Sequence, residues 1–186
     1  MSVSDLPSDL PVPIDDGACD HLVGRAVPAL SLVATTGPAV DLSQRPGRVV
    51  VYAYPRTGQP DRPPGPDWDA IPGARGCTPE ACAFRDHHAE IAELGAEVFG
   101  LSTQTSAYQR EVADRLHLPF PLLSDADLAF ARALALPTFT YVDETLIRRL
   151  TLVVNDGRIE RVFYPVFPPD AHAAEVVAAL VGDRAN

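Results

Sequence analysis

With 186 residues, 46% of them apolar, and no apolar run approaching the roughly 18 residues that cross a bilayer, the chain is expected to form one soluble domain with a substantial core, which excludes a membrane-spanning protein. The formal net charge is -10 and the sequence pI about 4.8, with Lys and Arg scattered rather than clustered, which argues against nucleic acid or an anionic membrane as partner. Three cysteines do not make the paired framework of a secreted scaffold, and the N-terminus lacks the basic start and apolar stretch of a signal peptide, so a cytoplasmic location is expected.

Residues 1–20 carry Pro7, Pro11 and Pro13 among Asp and Ser with no sustained period, so 1–23 reads as an extended N-terminal arm and 24–186 as the folded domain. Cys19 and His21 near its end read as incidental. Residues 29–33 and 39–42, separated by a Thr36-Gly37 turn, form an expected hairpin at the sheet edge. Residues 48–54, Arg-Val-Val-Val-Tyr-Ala-Tyr, are a near-continuous β-prone run, the mark of a strand buried on both faces, and the run stops at Pro55. From Pro55 to Gly76 the chain is dense in Pro and Gly. It holds the only tryptophan, Trp68, which is expected to anchor a long loop leading from the strand end to the next helix.

That helix opens at Gly76-Cys77-Thr78-Pro79-Glu80-Ala81-Cys82. Thr78 suits an N-cap, Pro79 the first helical position and Glu80 the first turn. Cys77 would then lie just outside the positive helix end, where amide donors and the dipole favour a thiolate. Cys82 follows five positions on. In an intact helix the two Cα atoms would stand about 8 Å apart and roughly 140° out of phase, beyond the ~7 Å limit of a disulfide, so any bond between them needs the first turn to unwind. Two other readings stand beside a reactive pair: small cysteines of the core, and a metal site recruiting His87 and His88, which helical phase disfavours because no four ligands converge. The helix is expected to run to about Leu94, burying Ala81, Phe84, His88, Ile91 and Leu94.

Residues 97–103 read as a second strand, 106–117 as a helix, 120–125 as a short extended segment, and 127–136 as a helix capped by Ser124 or Asp125. Residues 147–154 and 158–166 form an expected hairpin about Asn155-Asp156-Gly157, and 171–181 a closing amphipathic helix. This order implies an α/β fold, a central mixed sheet flanked by helices. Reactive groups in such sheets gather at the carboxyl ends of the parallel strands: Tyr54 and Pro55 at one, Ser102, Thr103 and Thr105 at the next.

Together these pieces resemble the peroxiredoxins, thioredoxin-fold thiol peroxidases, and within them the Q-type or bacterioferritin-comigratory branch. The resemblance rests on 51–55 (Val-Tyr-Ala-Tyr-Pro), on 76–86 (Gly-Cys-Thr-Pro-Glu-Ala-Cys-Ala-Phe-Arg-Asp), on Leu101-Ser102-Thr103, on 118–125 and on the terminal hairpin, and it runs from about Gly24 to the C-terminus. It implies a thioredoxin-like peroxiredoxin fold with Cys77 as peroxidatic cysteine, Cys82 as resolving cysteine and an intramolecular disulfide between them. Pro55, Gly76 and Thr78 would meet the peroxide. The family's Arg-x-Ser/Thr pattern before an apolar run falls on 149–154, making Arg149 the residue that steadies the thiolate and polarises the peroxide. A register one residue earlier would select Arg148, and because strand side chains alternate only one of the two can face Cys77.

The resemblance further implies hydrogen peroxide or an organic hydroperoxide as substrate, thioredoxin or a similar dithiol as reductant, a monomer, and no metal, flavin or nucleotide. The chain departs from the family in one place. The family loop runs Pro, three residues, Thr, two residues, Cys. Here Ala74 stands three positions before Cys77 and about fifteen residues are inserted after Pro55, leaving Thr57 or Thr78 to supply the missing hydroxyl. A peroxide-responsive sensor with little turnover is therefore the alternative reading. A thioredoxin-like disulfide reductase is disfavoured, since Cys-x4-Cys is not Cys-x-x-Cys.

Overall fold

The computed structural model describes residues 6–59, 65 and 67–184. Residues 1–5 of the expected arm, and Pro60, Pro63, Pro64 and Pro66 of the expected loop, lie outside the described residues. In chain order the elements are β1 (Ser31–Ala34), β2 (Val40–Asp41), β3 (Arg48–Ala53), α1 (Cys77–Asp86), α2 (His88–Glu93), β4 (Ala96–Ser102), α3 (Ser106–Leu116) and β5 (Leu122–Ser124). There follow α4 (Ala129–Leu134), β6 (Thr138–Tyr141), β7 (Glu144–Ile147), β8 (Leu150–Asn155), β9 (Arg158–Phe163) and α5 (His172–Arg184).

Seven strands form one mixed sheet in the order β2-β1-β5-β4-β3-β8-β9, while β6 and β7 pair apart from it. β3, β4 and β5 run parallel; β8 joins β3 antiparallel, with Val51 opposite Leu152. The alternation of side chains along β3 divides the core. Val49, Val51 and Ala53 pack with Leu150, Leu152 and Val154 of β8 and with Phe130 and Leu134 of α4. Val50, Tyr52 and Tyr54 pack on the other face with Cys77, Phe84, Ile91, Val112 and, from α5, Val176 and Leu180. Gly100 of β4 permits this second layer: a Cβ there would lie 2.9 Å from the Tyr52 ring and 2.4 Å from Leu122. Tyr52 in turn stacks on Phe84 at 4.4 Å between ring centroids, which seats α1 on the sheet.

Several boundaries differ from expectation. The helix expected to reach Leu94 breaks at His87, which is neither in α1 nor α2, and His88 is half-buried against Phe120 rather than enclosed. The strand expected over 147–154 is two pieces, because β7 ends at Ile147 and β8 begins at Leu150. The β6–β7 hairpin was not expected at all: its turn residues Val142 and Asp143 both have positive φ, 45° and 64°, a conformation usually announced by Asn-Gly. α4 begins after Leu128 with no side chain of its own N-cap engaged. The Asp125 carboxylate instead accepts from the amides of Phe130 and Ala131, at 2.9 and 2.8 Å. Residues 6–23 contain turns but no helix or strand, and Cys19 and Leu22 are buried in the first core layer.

Candidate active site

The chain leaves β3 at the carboxyl edge of the parallel strands, where Tyr54 still donates its amide to Leu101. Pro55 follows, buried. Gln104 then holds the next turn with its side chain: its Oε1 accepts from the Thr57 amide and hydroxyl at 3.0 and 3.1 Å, and its Nε2 donates to the Thr57 carbonyl. The Tyr108 hydroxyl donates to the same carbonyl. Thr57 is thereby committed to Gln104, which removes one of the two hydroxyls expected to substitute for the one missing at Ala74. Further on, Trp68 is 3% exposed and packs edge-on to Tyr141 and beside Phe139 and Leu146, so the inserted loop is docked on the β6–β7 hairpin.

From this anchor the loop turns into α1 two residues earlier than expected. Gly76, not Thr78, is the N-cap, with φ +105°, and Cys77 is the first helical residue. Glycine is required there: besides the positive φ, a Cβ would sit 2.3 Å from Pro169 Cγ. Thr78 is a half-buried first-turn residue, and Pro79 and Glu80 complete the turn.

Arg149 joins this turn to the sheet. Arg149 lies in the bend just before β8 and reaches Cys77 on the sheet face that carries Thr151 and Val153. Its Nη2 donates to Cys77 Sγ at 3.2 Å and to the carbonyls of Ala74 and Arg75, and its Nε donates to Gly73. Nη1 pairs with the Glu80 carboxylate, and neither side chain exceeds 1% exposure. Arg148 points elsewhere, half-buried over the Phe139 ring. Sequence reasoning placed Glu80 only as a first-turn carboxylate and missed its pairing with Arg149; the spacing of three from Cys77, which puts both on one helix face, was the available signal.

The electrostatics differ from the thiolate expected at a helix mouth. Burial pushes the Cys77 thiol up. Arg149 opposes this by charge and hydrogen bond, Glu80 reinforces it, and the Arg56 backbone amide opposes it weakly; the balance lies above the ordinary thiol value. Burial also raises the Glu80 carboxyl, to about 7, against the pull of Arg149. One cation thus faces two buried acids, and full ionisation of both would leave a net negative charge in a solvent-free pocket.

Cys82 is half-buried and Cys77 is a free thiol that donates to the Ala74 carbonyl. Cys19 is buried, its thiol driven up to about 12 by burial and by Asp16, Asp15 and Asp20. His87 pairs with Glu90, and among the described residues no group of three or more His, Cys, Asp or Glu side chains converges as a metal site. Behind the cysteine, the fully buried Gln109 donates from Nε2 to Tyr54 Oη, Ser102 Oγ and the Leu123 carbonyl. His172, also buried, bridges Thr151 on β8 and Glu175 on α5, its ring edge-on to Phe84.

A family model described as Redoxin matches residues 22–180. Peroxiredoxin Q, a chloroplastic protein of Oryza sativa subsp. japonica, is 34% identical over 159 residues, which is 84% of this chain and 65% of that protein, so the chain spans about two-thirds of the rice protein's length. A putative peroxiredoxin bcp of Coxiella burnetii is 28% identical over 166 residues, 85% of this chain and 97% of that one. Among solved structures, the peroxidoxin BcpB of Mycobacterium tuberculosis superposes with a TM-score of 0.70 at 30% identity, covering 87% of this chain and 98% of its own. Among the described residues no helix is long and apolar enough to cross a membrane.

Proposed function

The chain belongs to the peroxiredoxins, in their PrxQ/BCP branch, and from that premise we propose that it is a thiol peroxidase in which Cys77 is the peroxidatic cysteine and Cys82 the resolving one. The observation that carries the reading is the single guanidinium that touches the Cys77 sulfur, the Glu80 carboxylate and three carbonyls of the preceding loop. A thiolate and a breaking O–O bond both concentrate negative charge, and a fixed buried cation 3.2 Å from the sulfur stabilises both.

In the resting state the proton sits on Cys77 and Glu80 balances Arg149. When Glu80 takes up a proton, which its position near 7 makes accessible at neutral pH, Arg149 is released to the sulfur. The Cys77 thiol gives up its proton and the thiolate attacks one oxygen of hydrogen peroxide or an organic hydroperoxide; the O–O bond breaks, and the departing oxygen takes up that one proton to leave as water or alcohol. The product is a sulfenic acid. The first turn of α1 unwinds, Cys82 attacks the sulfenic sulfur, and water is lost as the disulfide forms. A thioredoxin-like dithiol restores both thiols through a mixed disulfide. Gly76 and Thr78 flank Cys77 at the helix start, and with Pro55 they would bind the peroxide.

Peroxide consumption with a thioredoxin system, compared between wild type and Cys77→Ser, tests this; turnover no faster than the variant's sinks it. The raised Cys77 thiol and the alanine at position 74 favour a second reading, a peroxide-responsive sensor. Prompt Cys77–Cys82 disulfide formation without steady-state turnover would select it.

A further inference from the structure

The Redoxin match begins at residue 22, so residues 6–16 lie outside it, and peroxide activation by Cys77 and Arg149 makes no use of them. They cross the loop that enters α1. A Cβ on Gly76 would meet Leu6 Cδ2 at 3.3 Å, and one on Gly73 would meet Pro13 Cβ and Cγ at 3.6 Å, so Leu6 and Pro13 lie directly over the two glycines that bound this loop. Arg149 holds the loop by its other polar groups, the carbonyls of Gly73, Ala74 and Arg75. Farther along the arm, the Asp16 carboxylate accepts at 2.9 Å from the hydroxyl of Tyr164, which opens the connection from β9 to α5. Pro169 of that connection covers Gly76 beside Leu6.

We propose that residues 6–16 are an autoinhibitory latch on Cys77, in which Leu6 and Pro13 hold the 73–76 loop closed and their release opens the first turn of α1 to peroxide and to Cys82. The proposal rests on the reading of Cys77 as the reactive thiol. In the closed state Cys77 is buried, so a peroxide reaches the sulfur only when part of its cover moves. Disulfide formation asks more of the same place. The Glu80 amide donates to the Gly76 carbonyl at 3.0 Å as the first bond of the helix, and unwinding breaks that bond and displaces Gly76 from beneath Leu6 and Pro169.

Of these two covers Leu6 is the one that yields. Pro169 is buried three residues before His172, which is tied to Thr151 and Glu175. Residues 6–16 contain no helix or strand, and among the described residues no backbone–backbone hydrogen bond joins them to the domain. A cavity of about 250 Å³ lies between Val12, Pro13 and Ile14 of the arm and Phe139 and Val166 of the domain, and Val12 and Ile14 are largely exposed. A segment with so few buried contacts and no ladder opens at low free-energy cost.

The test uses the full chain carrying Leu6→Ser and Pro13→Ser together, without peroxide. Native-state alkylation by iodoacetamide with peptide mapping reads access to Cys77, and amide hydrogen exchange reads opening of the first turn of α1. Both should rise about tenfold, while exchange in α3 stays within about twofold of wild type. Ile14→Ser, on the exposed side of the same arm, should leave both at the wild-type rate. Unchanged alkylation in the double variant, exchange that rises equally in α3, or an equal gain in Ile14→Ser would overturn the latch. If the double variant speeds alkylation as expected but neither it nor wild type consumes peroxide with a thioredoxin system, the peroxidase reading fails and the latch stands, so the two failures are told apart.

Discussion

Glu80 and Arg149, 69 positions apart in the chain, form an ion pair with solvent excluded from both partners, and the same guanidinium reaches the Cys77 sulfur. The carboxylate therefore competes with the sulfur for one cation. Glu80→Gln ends the competition without changing shape, and the pH midpoint for alkylation of Cys77 should fall by about one unit or more. An unmoved midpoint would mean that Glu80 does not control the sulfur. The linkage has an unusual sign for a carboxylate: because its folded value, about 7, lies above the ordinary 4.5, its contribution to stability is present below pH 4.5 and is lost as pH rises through 7. Glu80→Gln should remove that descending limb from a plot of unfolding free energy against pH.

The two adjacent arginines should separate cleanly in kinetics. Arg149→Met removes the donor aimed at the reacting sulfur and is expected to lower the second-order rate constant for peroxide by about 10²- to 10³-fold, the usual loss for one such donor. Arg148→Ala, whose guanidinium rests on Phe139, should stay within about threefold of wild type. Comparable losses in both would contradict the opposite placements of the two arginines before β8.

His172 is held neutral by burial, with its imidazole below its ordinary 6.5 despite the opposing pull of Glu175. A depressed histidine costs nothing above pH 6.5 and subtracts stability as pH falls below it, because the unfolded chain binds the proton first. Melting temperature followed from pH 8 to pH 5 should fall more steeply in wild type than in His172→Gln, with the difference opening below pH 6.5. Parallel curves would show that the ring is not buried as a neutral group.

Trp68 ties the inserted loop to the β6–β7 hairpin, and Gly73 through Arg75, at the end of that loop, supply the carbonyls that hold Arg149. Trp68→Ala should cost up to about 3 to 5 kcal/mol in global stability, as expected for a buried aromatic, and should speed alkylation of Cys77 as the loop loosens. Unchanged alkylation in a destabilised variant would uncouple the insertion from the cysteine.

The Val142-Asp143 turn sets a β-branched residue at positive φ, with Val142 74% exposed and so held there by little packing of its own. Replacing the pair by Asn-Gly should raise stability by about 1 kcal/mol in denaturant titration. A loss would show that the valine contributes contacts outweighing its backbone strain.

Much of the scaffold was legible because its signals are short-range. The unbroken run at 48–54 marked a strand buried on both faces, and Asn155-Asp156-Gly157 marked the turn between β8 and β9. The β6–β7 hairpin carried no such signal, since neither Val142 nor Asp143 is a residue that favours its turn. The start of α1 was misplaced for a related reason: Thr78, Pro79 and Glu80 have good local preferences for capping, but Gly76 can adopt φ +105° beneath Pro169, and that packing advances the helix by two residues.

By itself the sequence narrowed which residues could meet: the Arg-x-Thr pattern before the apolar run pointed to Arg149, and the spacing of Cys77 and Glu80 puts both on one side of α1. Only the tertiary structure decided the charge state of the site. Ionisation depends on how far water is excluded and on which charges are brought together from distant parts of the chain. Burial raises both Cys77 and Glu80 while one arginine serves the two. No local pattern of residues encodes that balance, because desolvation is a property of the packed fold.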